Sequence, residues 1–234
     1  MTKPILFKNL NWMDVERYLE HDDRIVVTIG SCEQHSYLSL LTDTIIPTKV
    51  AREVCEKEGI LMTPSFPYGV SSAWTAYPGT ISLKPATFIS VIQEIVEGLL
   101  TQGFRRVLLN NGHGGNTGAL GWLQDELNNT HSGGIRVSSF NWWFHPIVTK
   151  VYEEVGFPQG HANWSENFPF TRVGSVPEGE KELLKEWPRA PTAADYRTVL
   201  GDGSTGGLYQ ASDDVMDQLF AAAVEAMEAE LRLL

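Results

Sequence analysis

Short apolar runs alternate with amphipathic segments along most of the chain. Arg24-Ile-Val-Val-Thr-Ile-Gly30 is a β-branched run stopped by glycine, and it predicts a buried strand. Pro47 then opens a segment in which Val50, Val54 and Cys55 recur at helical spacing, with Gly59 where a C-terminal cap belongs. Ile60-Leu-Met-Thr63 predicts a second strand, closed by Pro64. The clearest helix starts at Pro85, aligns Phe88, Ile92, Ile95 and Leu99 on one face, and ends at Gly103. Arg106-Val-Leu-Leu-Asn110 is a third strand. After Asn116, the positions of Leu120, Leu123 and Leu127 predict another helix, and residues 135–140 a fourth strand. From about 156 to 211 the chain is rich in Gly, Pro, Ser and Asp with weak periodicity, which predicts loops folded over the sheet. A last helix begins near Ser212, with Asp213 and Asp214 at the positive end of its dipole.

Strands that alternate with helices imply βαβ units, so the expected architecture is α/β: a three-layer sandwich around a mostly parallel sheet, in a single domain over 1–234. Such sheets bind ligands outside the carboxyl ends of their strands, which directs attention to the residues just after each strand.

Composition narrows the function classes. The 234 residues are 42% hydrophobic and 20% charged, as in a compact folded chain. The balance of 18 Lys+Arg against 29 Asp+Glu gives a net charge of −11, and no basic patch is visible, so nucleic acid is not an expected partner. Two cysteines, Cys32 and Cys55, fit a reducing compartment. No signal-peptide pattern and no run of about 18 apolar residues is found, so the expectation is a cytoplasmic protein without a membrane partner.

Polar residues collect at the predicted strand ends. The first strand runs into Gly30-Ser-Cys-Glu33-Gln-His35, with Asp43 shortly after. Residues two apart on an extended segment point the same way, so Glu33 and His35 can share a target, and carboxylate with imidazole suits zinc, manganese or iron. The third strand runs into Asn110-Asn-Gly112-His113-Gly-Gly115-Asn116, and Gly160-His161-Ala-Asn-Trp-Ser-Glu166 adds another His and Glu pair. The glycine-rich turn is also compatible with an anion cradle, but it lacks the Lys-Ser/Thr of a P-loop and the dinucleotide spacing, so metal binding leads. His21, His131 and His145 lack such company and read as surface or structural.

The motifs Gly30-Ser-Cys-Glu-Gln-His35, Thr42-Asp43, Tyr77-Pro-Gly-Thr80, Asn111-Gly-His-Gly-Gly-Asn116 and His161-Ala…Glu166, with the Gly-Asp-Gly-Ser stretch at 201–204, resemble the creatininase family of metal-dependent amidohydrolases. The resemblance runs from about residue 24 to 207. It implies a compact α/β subunit, two divalent metals (zinc or manganese, with iron also suitable) and a homohexamer. By position it makes Glu33, His35, Asp43, His113 and Glu166 the metal ligands, with Asp43 bridging. A water shared by two such cations loses its proton near neutral pH and attacks a carbonyl. His161 is then the candidate catalytic group, as general acid to the leaving nitrogen, while a hydrogen bond to a metal ligand or to the substrate is equally compatible with the sequence.

Three departures separate the chain from creatininase itself. The linker between His35 and Asp43, Ser36-Tyr-Leu-Ser-Leu-Leu41, is one residue shorter than the family's usual form and lacks its glycine and histidine. Gly114 and Gly115 replace a tyrosine and a glutamate, and Phe157 and Pro158 replace an aromatic and acidic pair. The expected reaction is therefore hydrolysis of a small cyclic amide, amide or formamide other than creatinine. The family alternatives are a peptidase and a ring hydrolase for an inosose-like ketone, and a non-catalytic metal-binding protein is the rival from another class. Tyr37, Trp74, Trp143 and Trp164 are candidate substrate contacts, with core packing as the competing role for each and for Tyr77 and Trp142. Trp74 stands where many relatives carry a histidine. Cys32 reads as a small hydrophobe rather than a nucleophile.

Overall fold

The computed structural model describes residues 5–131, 133–186 and 189–234, so the first four residues of the predicted 1–234 domain lie outside the described set. In chain order the elements are α1 (Trp12–Leu19), β1 (Arg24–Ile29), α2 (Thr42–Glu58), β2 (Leu61–Met62), α3 (Pro85–Gln102), β3 (Arg106–Asn111), α4 (Thr117–Thr130), β4 (Arg136–Asn141), α5 (Pro146–Val155), β5 (Glu180–Lys181), α6 (Ala193–Leu200), β6 (Gly207–Leu208) and α7 (Asp213–Leu233). β1 to β4 form one sheet in the order β2-β1-β3-β4, every neighbouring pair parallel. β5 and β6 pair antiparallel in the late loop region.

Alternation along the strands divides the core into two layers. Val26 of β1 and Leu108 of β3 pack with Ile46, Val50 and Val54 of α2 and with Met216, Leu219 and Ala223 of α7. Ile25, Val27 and Ile29, with Val107 and Leu109, pack against Phe88, Ile92 and Val96 of α3 and Leu120, Leu123 and Leu127 of α4. The sheet is thus covered on both faces, as the apolar runs predict. Among the described residues no helix is long and apolar enough to cross a membrane.

The structure moves one predicted boundary. α2 starts at Thr42, and Pro47 lies inside it rather than opening it. Proline has no N–H to give to the carbonyl one turn back, that of Asp43. That carbonyl instead lies against Gly112, where any Cβ would collide with it. The helix extension places Asp43 in the first turn, where the dipole favours a carboxylate. Three helices were not anticipated. α1 is fixed by an Asn11–Asp14 capping box and α6 by one between Thr192 and Asp195. α5 opens with Pro146 and has the His145 ring accepting the Ile147 N–H at its start.

Candidate metal centre

Three loops and the start of α2 bring the polar residues to the carboxyl edge of the sheet. Glu33 and His35 follow β1, Asp43 is the second residue of α2, His113 follows β3, and His161 and Glu166 belong to the loop after α5. Asparagines hold these loops together: Asn116 donates to the Gly30 carbonyl and accepts the Val70 N–H, while Asn111 accepts the His113 N–H. The glycines of the turn serve close approach. A Cβ at Gly112 would strike the Asp43 carbonyl and Pro47, and one at Gly115 would strike the Val70 carbonyl and the His113 ring. They seat His113 against α2, which accounts for a glycine-rich turn without an anion.

Two groups of three potential ligands share Asp43: Glu33, Asp43 and His113 in one, and His35, Asp43 and Glu166 in the other. Asp43 Oδ2 lies 2.9 Å from His113 Nδ1, and its Oδ1 lies 3.0 Å from His35 Nε2. His113 Nε2 is 3.4 Å from Glu33 Oε2, and His35 Nε2 is 3.8 Å from Glu166 Oε2. The other nitrogen of each ring meets a backbone carbonyl, His35 Nδ1 at 3.2 Å from that of Glu33 and His113 Nε2 at 3.0 Å from that of Val70. A carbonyl only accepts, so it fixes the N–H on that side and turns the ring's lone pair toward Asp43. A lone pair facing a carboxylate requires a proton or a cation between them. A third group, Glu33, His35 and His161, also has ligand atoms close enough to share an ion.

The electrostatics say the same. Glu33 and Asp43 are buried, and Glu33 Oε1 accepts no hydrogen bond. Burial pushes the carboxyls of Glu33 and Glu166 up to about 7. It pulls the rings of His35 and His113 down, but the surrounding carboxylates outweigh it and raise them to about 10 and about 9. For Asp43 the burial penalty is overcome by the two rings, which hold it well below the usual carboxylate range. Burial, then the neighbouring His35, lowers His161 well below its ordinary value. Three carboxylates and two aligned imidazoles with an orphaned buried oxygen are a donor set that fits divalent cations.

The cluster forms the floor of a cavity of about 220 Å³ with Trp74, Trp142, Trp143 and Tyr152 around it. The Trp74 indole stacks on the His161 ring at 4.3 Å and 9°. A profile of the creatininase (creatinine amidohydrolase) family matches residues 8–231. The chain belongs to the creatininase family.

Creatinine amidohydrolase of Pseudomonas putida is 33% identical over 120 residues, 48% of this chain and 46% of that protein. A mycofactocin precursor peptide peptidase of Mycobacterium tuberculosis is 38% identical over 107 residues, 41% of the chain and 42% of the relative, and a 3-dehydro-scyllo-inosose hydrolase of Thermotoga maritima is 29% identical over 112 residues, 47% and 36%. The chain thus spans less than half the length of the curated relatives it matches. A crystal structure of creatininase superposes with a TM-score of 0.80 at 23% identity, covering 98% of this chain and 97% of the other. A structure described as creatininase Mn superposes at 0.81 and 23% identity, covering 98% of each chain.

Against the creatininase pattern, the shortened 36–41 linker leaves Glu33, His35 and Asp43 together: Glu33 N donates to the Leu40 carbonyl and Leu38 N to that of His35. Of the aromatic candidates, Trp74 and Trp143 line the cavity. Trp164 does not: it is fully buried, and its indole N–H is spent on the Pro158 carbonyl. Tyr37 lies outside the lining, edge-on to Tyr209. Cys32 is half-buried, both thiols are free, and burial followed by the Glu33 charge raises the Cys32 thiol, which opposes a thiolate nucleophile. His21 and His145 bond locally, to the Arg17 carbonyl and the start of α5. Two residues at the site escaped the sequence reading. Tyr152 lines the cavity with a buried hydroxyl that has no partner, and Gln34 reaches the His161 ring. Tyr152 was legible in principle, since Val148 and Tyr152 lie one helical turn apart on the buried face of α5.

Proposed function

We propose that the protein is a metal-dependent amidohydrolase acting on a small cyclic amide or a related amide or formamide, with Glu33, His35, Asp43, His113 and Glu166 holding two divalent cations. The observation that carries this reading is the division of Asp43, one oxygen toward each of two ligand groups. Zinc or manganese held there would supply an activated water and polarise the substrate carbonyl.

The chain's own residues do the rest. Asp43 fixes the separation of the two ligand groups, and the backbone N–H of Ala162 holds the Glu166 carboxylate in place at 2.6 Å. Trp74 and Trp143 wall the cavity and limit water around the reacting bond. His161, with Nδ1 3.8 Å from Glu33 Oε1, stands where it meets the substrate amide. The Tyr152 hydroxyl is a donor without a partner, available to a substrate oxygen or nitrogen. A cavity of about 220 Å³ falls below the roughly 300–1,000 Å³ of drug-sized pockets, which favours a small ring or formamide over a peptide. By family resemblance the assembly is a homohexamer, to be checked by light scattering.

A screen of lactams, cyclic ureas, formamides and inososes with zinc- and manganese-loaded protein tests the reading. Metal-dependent turnover of an amide, abolished by chelation and restored by metal, is the expected result. Turnover confined to inososes, or none with both metals bound, would overturn it.

A further inference from the structure

The side chain of Gln34 stands between the metal ligands Glu33 and His35 in sequence but points away from them. It is buried, and its amide is held at three points. The Ser36 backbone N–H donates to Oε1 at 3.1 Å, Nε2 donates to the Gly203 carbonyl at 3.1 Å, and the same Nε2 lies 2.8 Å from His161 Nε2. The first two contacts fix which end of the amide is which. Exchanging oxygen and nitrogen would set a carbonyl against the Gly203 carbonyl and an NH2 group against the Ser36 N–H. The amide nitrogen therefore faces the imidazole as a donor. One of its hydrogens goes to Gly203, and the other points at His161 Nε2.

A ring nitrogen can accept that hydrogen only if it carries none of its own. The Gln34 backbone carbonyl, 3.1 Å from the same ring nitrogen, pulls the other way, since it would favour a proton there. The amide contact is the shorter, and the amide cannot turn. A proton on Nε2 would bring two N–H donors head-on at 2.8 Å, whereas its absence only leaves the carbonyl without that bond. We infer that Gln34 is a positioning residue that holds His161 as the neutral Nδ1–H tautomer, with that N–H directed at Glu33 Oε1 and the cavity.

The surroundings keep the pair rigid. Trp74 stacks on the ring, and Thr205 donates its backbone N–H to the His161 carbonyl at 3.1 Å. Gly203 has a φ of +96°, and a Cβ there would collide with the Gln34 amide, so the late Gly-Asp segment has to present a bare backbone carbonyl to Gln34. The consequence deepens the amidohydrolase reading and rests on it. With its hydrogen on Nδ1, His161 does not ligate a cation through that atom. It offers a hydrogen bond, so the substrate it recognises presents an acceptor, a carbonyl oxygen or an imine-type ring nitrogen, toward Glu33.

Nitrogen-15 NMR of the histidine rings tests this directly, on the zinc-loaded and the metal-free protein, with His161 assigned by the loss of its signals in His161→Asn. The expected spectrum in both forms has a protonated, pyrrole-like Nδ1 and a bare, pyridine-like Nε2. In Gln34→Glu the carboxylate accepts instead of donating, and the two shifts should exchange. A protonated Nε2 in the wild type, a zinc-bound Nδ1, or a Gln34→Glu spectrum unchanged from wild type would overturn the inference. If Gln34→Glu fails to fold, the wild-type spectrum alone decides. Failure to bind zinc would instead count against the amidohydrolase reading, and the metal-free spectrum would still report the tautomer.

Discussion

Ser36 has a φ of +52° immediately after His35. A side chain in the left-handed region costs about 1–2 kcal/mol, and the Ser36 hydroxyl is buried without a partner. Ser36→Gly should therefore raise stability by about 1 kcal/mol after the entropy of the added glycine is counted, read as a higher urea midpoint with metal content unchanged. A lower midpoint would show that the serine is not strained. Tyr152→Phe makes the opposite kind of point. It removes a hydroxyl that bonds to nothing in the protein, so the thermal midpoint should hold or rise, while kcat/KM falls by several-fold to about tenfold, the worth of one hydrogen bond to substrate. Unchanged kcat/KM would leave the phenol as packing. At this scale the sequence was most informative for the clustered candidate ligands, because Glu33, His35 and His113 are tied to strand ends by their spacing. It was least informative for aromatics: Trp74 and Trp164 look alike in sequence, and only the fold decides that one lines the cavity and the other fills the core.

The junction of α2 with the turn after β3 carries the site. Because Pro47 leaves the Asp43 carbonyl without its helical partner, the backbone at Gly112 can close on it, and His113 arrives beside the Asp43 side chain. Gly112→Ala would put a methyl group into backbone and proline atoms that cannot swing aside. The expected loss is about 3 kcal/mol of stability, together with weakened metal binding, seen by urea unfolding and zinc titration. Retention of both would mean that α2 can shift at little cost. Elements with strong punctuation were legible: α3 between Pro85 and Gly103, and α7 with Ser212 accepting the Val215 N–H. The start of α2 was not, since the residues before Pro47 show no apolar repeat and proline at a helix start is the commoner pattern. α6 was hidden because it is short and set by its Thr192–Asp195 capping box, whereas α5 carries the Pro146 and Gly156 punctuation of α3 but buries only Val148 and Tyr152, too short a repeat to stand out.

At the scale of the whole molecule, protons and cations compete for one buried cluster. His35 and His113 are raised to about 10 and about 9 in the folded, metal-free protein, above the ordinary 6.5. Their contribution to stability is fully present below 6.5 and is lost as pH rises through the folded values. Metal-free protein should accordingly lose stability between about pH 6.5 and 10, while the stabilisation by added zinc or manganese should grow over the same range, with proton release on binding. Thermal melts with and without metal across that range check both slopes, and a metal-free protein that gains stability with rising pH would contradict the electrostatic account. The net charge of −11 gave no hint of this, because three site carboxylates are a small part of the acidic excess. The central claim is that Asp43 joins two ligand groups, and metal analysis per chain tests it most directly. The account predicts two divalent ions in the wild type, one in Glu166→Gln and none in Asp43→Asn. One ion or none in the wild type, or two retained in Asp43→Asn, would contradict it.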